Sequence, residues 1–394
     1  MSPSSPPQPP FDPREGELTA RLHSTGQPAR IRWANHRITA LEPAPGAAPD
    51  RWLAPGLVDL QINGYAGVDF QQDELRLEDL LRATSRLAAD GCTRYLLTLV
   101  TDAWPRMLAR LAQLRSLRGE SSVLQQAIAG WHIEGPFLSA EPGYCGAHDP
   151  KLMQDPSREQ LRELRQAAGS DALLLTLAPE RPGACAAIRE AVGLGMRLSL
   201  GHTNATAAEL AEAVRAGAIA FTHLGNGCPR TLDRHDNILW RVLETPGLQA
   251  SLIPDTIHVS PSLFRLFHRH LNPAAIYYTT DAMAAAGAPP GRYRLGRLQL
   301  DVGEDQVVRL PGSPNFAGSA LRPIDGIFRA AGMLGCSWRE VWDRFSVGPA
   351  SLMALPGGLQ PGAPADFCVL ELSPKETLIR LTVVTTSFGT SPVS

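Results

Sequence analysis

AIAGWHIEGPF, residues 127–137, begins as an apolar run and ends on charge: Ala127–Ile133 reads as a strand, closed by His132 and Glu134 ahead of Gly135 and Pro136. A strand that stays apolar instead of alternating is at home in a parallel sheet covered on both faces. Similar runs lie on either side of it. Upstream are Gly56–Ile62 and Arg94–Val100; downstream are Ala172–Ala178, Met196–Leu200, Ala218–Thr222, Gln249–Ile253 and Ala275–Thr280, which brings the count to eight. Segments of helical period separate them, namely Leu75–Ala89, Trp104–Leu117, Arg158–Ala168, Ala184–Leu194, Ala205–Ala216, Pro261–His270 and, after the last strand, Pro323–Leu334. Eight such repeats predict an α/β fold of the closed, TIM-like (β/α)8 barrel kind. The alternative is an open doubly wound sheet, which periodicity alone leaves open, although no GxGxxG turn follows the first strand.

The flanks have another character. Ala29–Leu41 alternates polar and apolar residues and Ala365–Leu372 reads as a further strand, so the two chain ends are expected to meet in a small β domain spanning 17–53 and 355–394, around a barrel at 54–354. Tyr293–Val308 has the pattern of a hairpin, and 378–394 carries no legible signal. Residues 1–16 open on MSPSSPPQPP, without the basic and apolar regions of a signal peptide, and are expected to be a disordered tail.

Composition narrows the classes of partner. The 37 Lys+Arg nearly balance the 39 Asp+Glu, so no global field favours nucleic acid or an anionic membrane, and nothing reads as a membrane span. Six scattered cysteines show no paired spacing, which fits reduced thiols in the cytoplasm. Lys151 and Lys375 are the only lysines, and neither lies in an expected strand.

Chemistry in such barrels gathers at the C-terminal ends of the strands. Here those ends carry Gln61 and Asn63, His132 and Glu134, His202, His223, Asp255 with His258 beyond it, and Asp281. Taken singly, a strand-end histidine is more often a hydrogen-bonded structural residue. Taken together, Glu134, His202 and His223 form a three-ligand set for one divalent metal with an open position for water, and Asp281 is placed to act as general base and then acid. Zinc suits these ligands best, and Fe²⁺, Co²⁺ or Mn²⁺ are also compatible.

From about Ala54 to Asp366 the chain resembles the N-acetylglucosamine-6-phosphate deacetylases of the amidohydrolase superfamily. The resemblance rests on PGLVDLQINGYAGVDF (55–70), HIEGPF (132–137), GHTNA (201–205), THLGN (222–226), DTIHV (255–259), TDAM (280–283) and AGS (317–319), in that order. It implies Glu134, His202 and His223 as metal ligands, Asp281 as the catalytic acid/base and His258 as a catalytic residue that contacts the substrate. It further implies substrate contacts from Asn226, Gly227, Ala147 and His148, with Arg234 reaching a phosphate across a homodimer. The small-molecule substrate would be an amino sugar, deacetylated through hydroxide generated on the metal. Gln61 and Asn63 stand where many superfamily members have two metal-binding histidines. They mark a vestigial second metal site, so one metal is expected.

Two loops depart from the family pattern. Gly225–Pro229 reads GNGCP where an aromatic-Asn-Ala-Met run is usual, and the loop after Glu134 runs longer through GYCGAHDP. Both border the expected ligand pocket. Two other readings therefore stand beside the first: a deacetylase of an unphosphorylated or different N-acyl amino sugar, and a non-catalytic sugar-phosphate sensor.

Overall fold

The computed structural model describes residues 12, 14–46, 50–311, 316–386 and 389–393. Most of the stretch expected to be a tail lies outside the described residues; Glu15 and Gly16, assigned to its end, instead open a strand, Glu15–Leu22.

The central sheet is built from eight parallel strands: β1 (Leu57–Ile62), β2 (Cys92–Val100), β3 (Ile128–Glu134), β4 (Ala172–Leu177), β5 (Arg197–Leu200), β6 (Ala220–Phe221), β7 (Gln249–Leu252) and β8 (Ile276–Tyr278). Each pairs with the next in chain order. Beyond β8 the chain returns to β1: Ile62 bridges Ala282 in parallel, the Asn63 amide donates to Ala282 O at 2.7 Å, and Thr280 N donates to Asp59 Oδ2 at 3.0 Å. The sheet is thus a closed barrel, and the doubly wound alternative is excluded.

Eight helices follow the strands: α1 (Leu77–Ala89), α2 (Trp104–Gly119), α3 (Arg158–Ala168), α4 (Ala184–Gly193), α5 (Ala207–Ala216), α6 (Ile238–Glu244), α7 (Pro261–His270) and α8 (Pro323–Leu334). Local chemistry fixes their ends. At α5, Thr206 Oγ1 accepts from Glu209 N while the Glu209 carboxylate accepts from Thr206 N, and Gly217 at φ 116° ends the helix. At α7, Ser260 Oγ accepts from Leu263 N and Pro261 opens the first turn. Helix α6 and the shorter helices Ser122–Ala127, Trp338–Trp342 and Val347–Leu352 are absent from the sequence reading. None exceeds two turns, too short for a 3.6-residue period to show.

A second, mixed sheet gathers both chain ends in the order Gly389–Val393, Leu378–Thr385, Phe367–Leu372, Trp52–Pro55, Glu15–Leu22, Pro28–Ala34 and Arg37–Pro43. Three expectations are corrected here. Ala29–Leu41 is a hairpin and not one strand, because Asn35 and His36 both take positive φ (50° and 61°) and turn the chain. Ala54 and Pro55, placed in the barrel by sequence, end a strand of the mixed sheet. Residues 378–394, which carried no signal, supply its two last strands within the described residues. The helix Trp338–Trp342 packs against the mixed sheet: the Trp338 ring meets those of Trp52 and Trp342 edge-on at 5.7 and 5.4 Å, and Trp342 Nε1 donates to Pro55 O at 2.9 Å.

The expected hairpin at 293–308 is a three-stranded antiparallel sheet, Gly291–Leu295, Leu298–Val302 and Val308–Arg309. Its first turn, Gly296–Arg297, reaches the mouth of the barrel. Among the described residues, no helix is long and apolar enough to cross a membrane.

Candidate active site

At the C-terminal mouth of the barrel the strand ends surround a cavity of about 870 Å³. Three of the polar residues there sit in left-handed backbone conformations: His202 (φ 50°), His223 (φ 35°) and Asp281 (φ 52°). Such conformations cost a non-glycine residue about 1–3 kcal/mol and persist only where surrounding structure enforces them. Each of these residues follows a barrel strand within two or three positions, and the turn aims its side chain across the mouth.

Glu134, at the end of β3, is the hub. Its Oε1 lies 2.9 Å from His223 Nε2 and 3.4 Å from His202 Nε2, and it accepts from Gln61 Nε2 at 3.0 Å. Burial raises the pKa of this carboxyl, but the two imidazoles outweigh burial and hold it well below the ordinary carboxylate range. One ligand atom each from Glu134, His202 and His223 lie within 4.8 Å of one another, all in buried residues. His202 Nδ1 donates to Tyr144 O at 2.8 Å, which leaves its Nε2 lone pair directed at the cluster. A buried carboxylate with two imidazole nitrogens converging on it is a donor set that fits a divalent transition-metal cation.

Two glycines make room for His202. A β-carbon at Gly146 would lie 2.7 Å from its Cε1, and one at Gly227, whose φ is +61°, would lie 2.9 Å from its Nδ1. The backbone therefore grips the ring where a side chain would displace it.

Gln61 and Asn63, expected to mark a vestigial second metal site, both act here as hydrogen-bond donors to carboxylates. Gln61 serves Glu134, and Asn63 Nδ2 donates to Asp281 Oδ1 at 2.7 Å. Burial, followed by the charge of Glu134, raises the Asp281 pKa above the ordinary carboxylate range. With Oδ1 engaged by Asn63, Oδ2 is the oxygen left to handle a proton.

His258 lines the same cavity, held by Asp255 at a distance of 2.6 Å from Nδ1 to Oδ2. Asp255 Oδ1 also accepts from Ile257 N and His258 N, both at 2.8 Å. Burial works against this carboxylate, but the positive charge and hydrogen bonds of His258 prevail and leave its pKa below the ordinary value. In the sequence Asp255 stands out only as a polar residue at a strand end, with no role attached. The i,i+3 spacing of Asp255 and His258 after β7 was the available signal.

Of the expected substrate contacts, Asn226, Gly227, Ala147 and His148 all line the cavity. His148 packs edge-on against His202 at 4.6 Å, with its Nδ1 2.9 Å from Thr101 Oγ1 and its Nε2 3.8 Å from Glu134 Oε2. Burial and the charge of His202 push its pKa down to about 3, so the ring is neutral. Arg234 does not line the cavity of its own chain; it is exposed, its Nε 2.9 Å from His235 Nε2. His132 is a structural histidine of the barrel interior, 2.8 Å from Thr176 Oγ1 and lowered by burial to a pKa of about 4.

The site therefore combines a cation-binding cluster, a carboxyl with one free oxygen and a histidine backed by a carboxylate. These are the parts needed to hydrolyse an amide.

Comparison with known proteins agrees with this geometry. No protein-family model matches the chain. It is 32% identical over 364 residues to the N-acetylglucosamine-6-phosphate deacetylase of Danio rerio, covering 88% of this chain and 86% of that protein. It is 29% identical over 329 residues to the enzyme of the same name from Bacillus subtilis (strain 168), covering 82% of each. Among solved structures, the N-acetyl-D-glucosamine-6-phosphate deacetylase of Mycobacterium smegmatis, in complex with N-acetyl-D-glucosamine 6-phosphate, superposes with a TM-score of 0.83 at 31% identity, covering 95% of this chain and 100% of that one.

Proposed function

The chain belongs to the N-acetylglucosamine-6-phosphate deacetylase family, and on that premise we propose that the cavity at its barrel mouth hydrolyses N-acetylglucosamine 6-phosphate to glucosamine 6-phosphate and acetate. The observation that carries this reading is the convergence of Glu134, His202 and His223 with Asp281 and the Asp255–His258 pair around one cavity.

Glu134, His202 and His223 would hold one divalent cation, zinc being the best match to a carboxylate and two imidazoles. When bound, such a cation supplies Lewis acidity, which polarises an amide carbonyl and makes a water molecule more acidic. Asp281 Oδ2 accepts the proton of the attacking water and delivers it to the amine nitrogen as the C–N bond breaks, so one carboxyl serves both halves of the reaction. Asn63 keeps that carboxyl in place through Oδ1. Because Asp255 accepts the Nδ1–H of His258, Nε2 is the nitrogen presented to the cavity, and as an imidazolium it donates to the carbonyl oxygen while negative charge builds there. Acetate then leaves with the added hydroxyl, and the sugar keeps its nitrogen as an amine.

The intact Asp281 beside a complete ligand set disfavours a non-catalytic sensor. A homodimer in which Arg234 reaches the partner's cavity is in keeping with its exposed position away from its own. Six cysteines without a disulfide suit a reducing cytoplasm. The test of function is acetate release from N-acetylglucosamine 6-phosphate and from free N-acetylglucosamine, with the bound metal quantified. A strong preference for the phosphorylated sugar is expected, and equal rates on both would overturn the assignment.

A further inference from the structure

Three arginines line the catalytic cavity, and two of them are already engaged. Arg110 binds Asp73 Oδ1 through Nη2 at 2.9 Å and Asp102 Oδ2 through Nη1 at 3.3 Å; Arg297 Nη2 binds Asp102 Oδ1 at 2.8 Å. Arg230 is different. It is exposed and has no hydrogen-bond or ion-pair partner among the described residues. The carboxylates in the wall are committed elsewhere: Asp102 to its arginines, Asp149 to Lys151 N at 3.0 Å, and Glu134 and Asp281 to the reaction centre. Neither lysine of the chain lines the cavity.

Position strengthens the case. Arg230 follows Gly227 by three residues on the loop that leaves His223, so it shares a wall with Asn226 and Gly227. Gly225 and Cys228 also line the cavity on that loop, at places where the family resemblance leads one to expect an aromatic side chain and a methionine. The smaller residues leave that part of the wall open beside the unpaired guanidinium.

We infer that Arg230 is a specificity-determining residue that takes the 6-phosphate of the substrate within its own subunit. A phosphate dianion needs a donor of matching charge, and the planar guanidinium offers two parallel N–H groups to its oxygens. This inference rests on the phosphorylated substrate of the reading above.

Arg230→Ala and Arg230→Lys separate the possibilities. With N-acetylglucosamine 6-phosphate, Arg230→Ala should raise KM about 10–100-fold, the loss of one charged hydrogen-bonded contact, with little change in kcat. Arg230→Lys should recover part of that loss. KM for free N-acetylglucosamine should not move. A second readout needs no turnover: inorganic phosphate, titrated by calorimetry, should bind the wild type more tightly than Arg230→Ala. An unchanged KM for the phosphorylated sugar, or an equal rise for both sugars, overturns the inference, the latter by showing that Arg230 only shapes the loop. Should the wild type fail to prefer the phosphorylated sugar, the substrate reading falls. Phosphate binding then still judges Arg230, and identical affinity in both proteins would sink its role in anion recognition.

Discussion

Replacing Asp255 by asparagine asks whether the charge of this side chain, rather than its shape, sets the state of His258. Asp255 Oδ1 accepts two backbone N–H groups at 2.8 Å, and an asparagine oxygen accepts them equally well, so the loop should keep its form. The change falls on Oδ2, 2.6 Å from His258 Nδ1, which becomes an amide nitrogen. A donor there requires a lone pair on Nδ1. The ring proton moves to Nε2, and an imidazolium is disfavoured because two donors would then face each other. The hydrogen bond offered to the substrate carbonyl becomes neutral, falling from about 1.5–3 kcal/mol to about 1 kcal/mol. A loss of about 0.5–2 kcal/mol lowers kcat about 2–30-fold. KM should change less, because the contact tightens only as charge develops. Steady-state acetate release across the pH range of activity reads both numbers. On the acid side the depressed Asp255 pKa means that the pair's contribution persists above the ordinary carboxylate range and is lost only as pH falls through the lower folded value. A variant with wild-type kcat would refute the reasoning.

Asp281→Asn removes the only oxygen free to accept a proton at that position and should cut kcat about 10²–10⁴-fold with substrate binding retained, measured by single-turnover acetate release. Because the folded pKa of Asp281 is raised, the metal-free wild type loses stability as pH climbs from the ordinary carboxylate value toward the folded one; melting curves of Asp281→Asn should lack that slope, and an identical slope would show that another group causes it. His202→Ala and His223→Ala should each purify with far less metal than the wild type, and undiminished content in both defeats the ligand set. In Gly227→Ala the added carbon, 2.9 Å from His202 Nδ1 at a backbone φ of +61°, should displace the ring and weaken metal binding about 10–100-fold by chelator competition, whereas wild-type affinity would show that the loop yields without moving His202.

The sequence by itself determined eight repeated strand–helix units, while closure of their sheet into a barrel, which periodicity leaves open, was decided by the tertiary structure. Its eight strands are apolar on both faces, and each is followed by polar residues where hydrophobic burial ends, so their number, order and C-terminal rim could be read from a linear pattern. The ligand trio was legible for the same reason, since Glu134, His202 and His223 each stand at the end of such a run. Short helices and the last strands of the mixed sheet were not legible, because a period needs length and a strand such as Leu378–Thr385, second from the edge of its sheet and with Ile379 exposed, does not keep one. Tertiary structure alone decided the partnerships. Gln61 meets Glu134 across 73 residues and Asn63 meets Asp281 across 218, distances over which only closure of the barrel brings a donor to its acceptor. Closure also separated His132, buried within the barrel, from the histidines at its mouth, and it placed Arg230 on the cavity wall while leaving Arg234 outside. A linear pattern records which residues must be buried. The direction in which a polar side chain points follows from the backbone turn beneath it, and at His202, His223 and Asp281 that turn is one the surrounding fold has to impose.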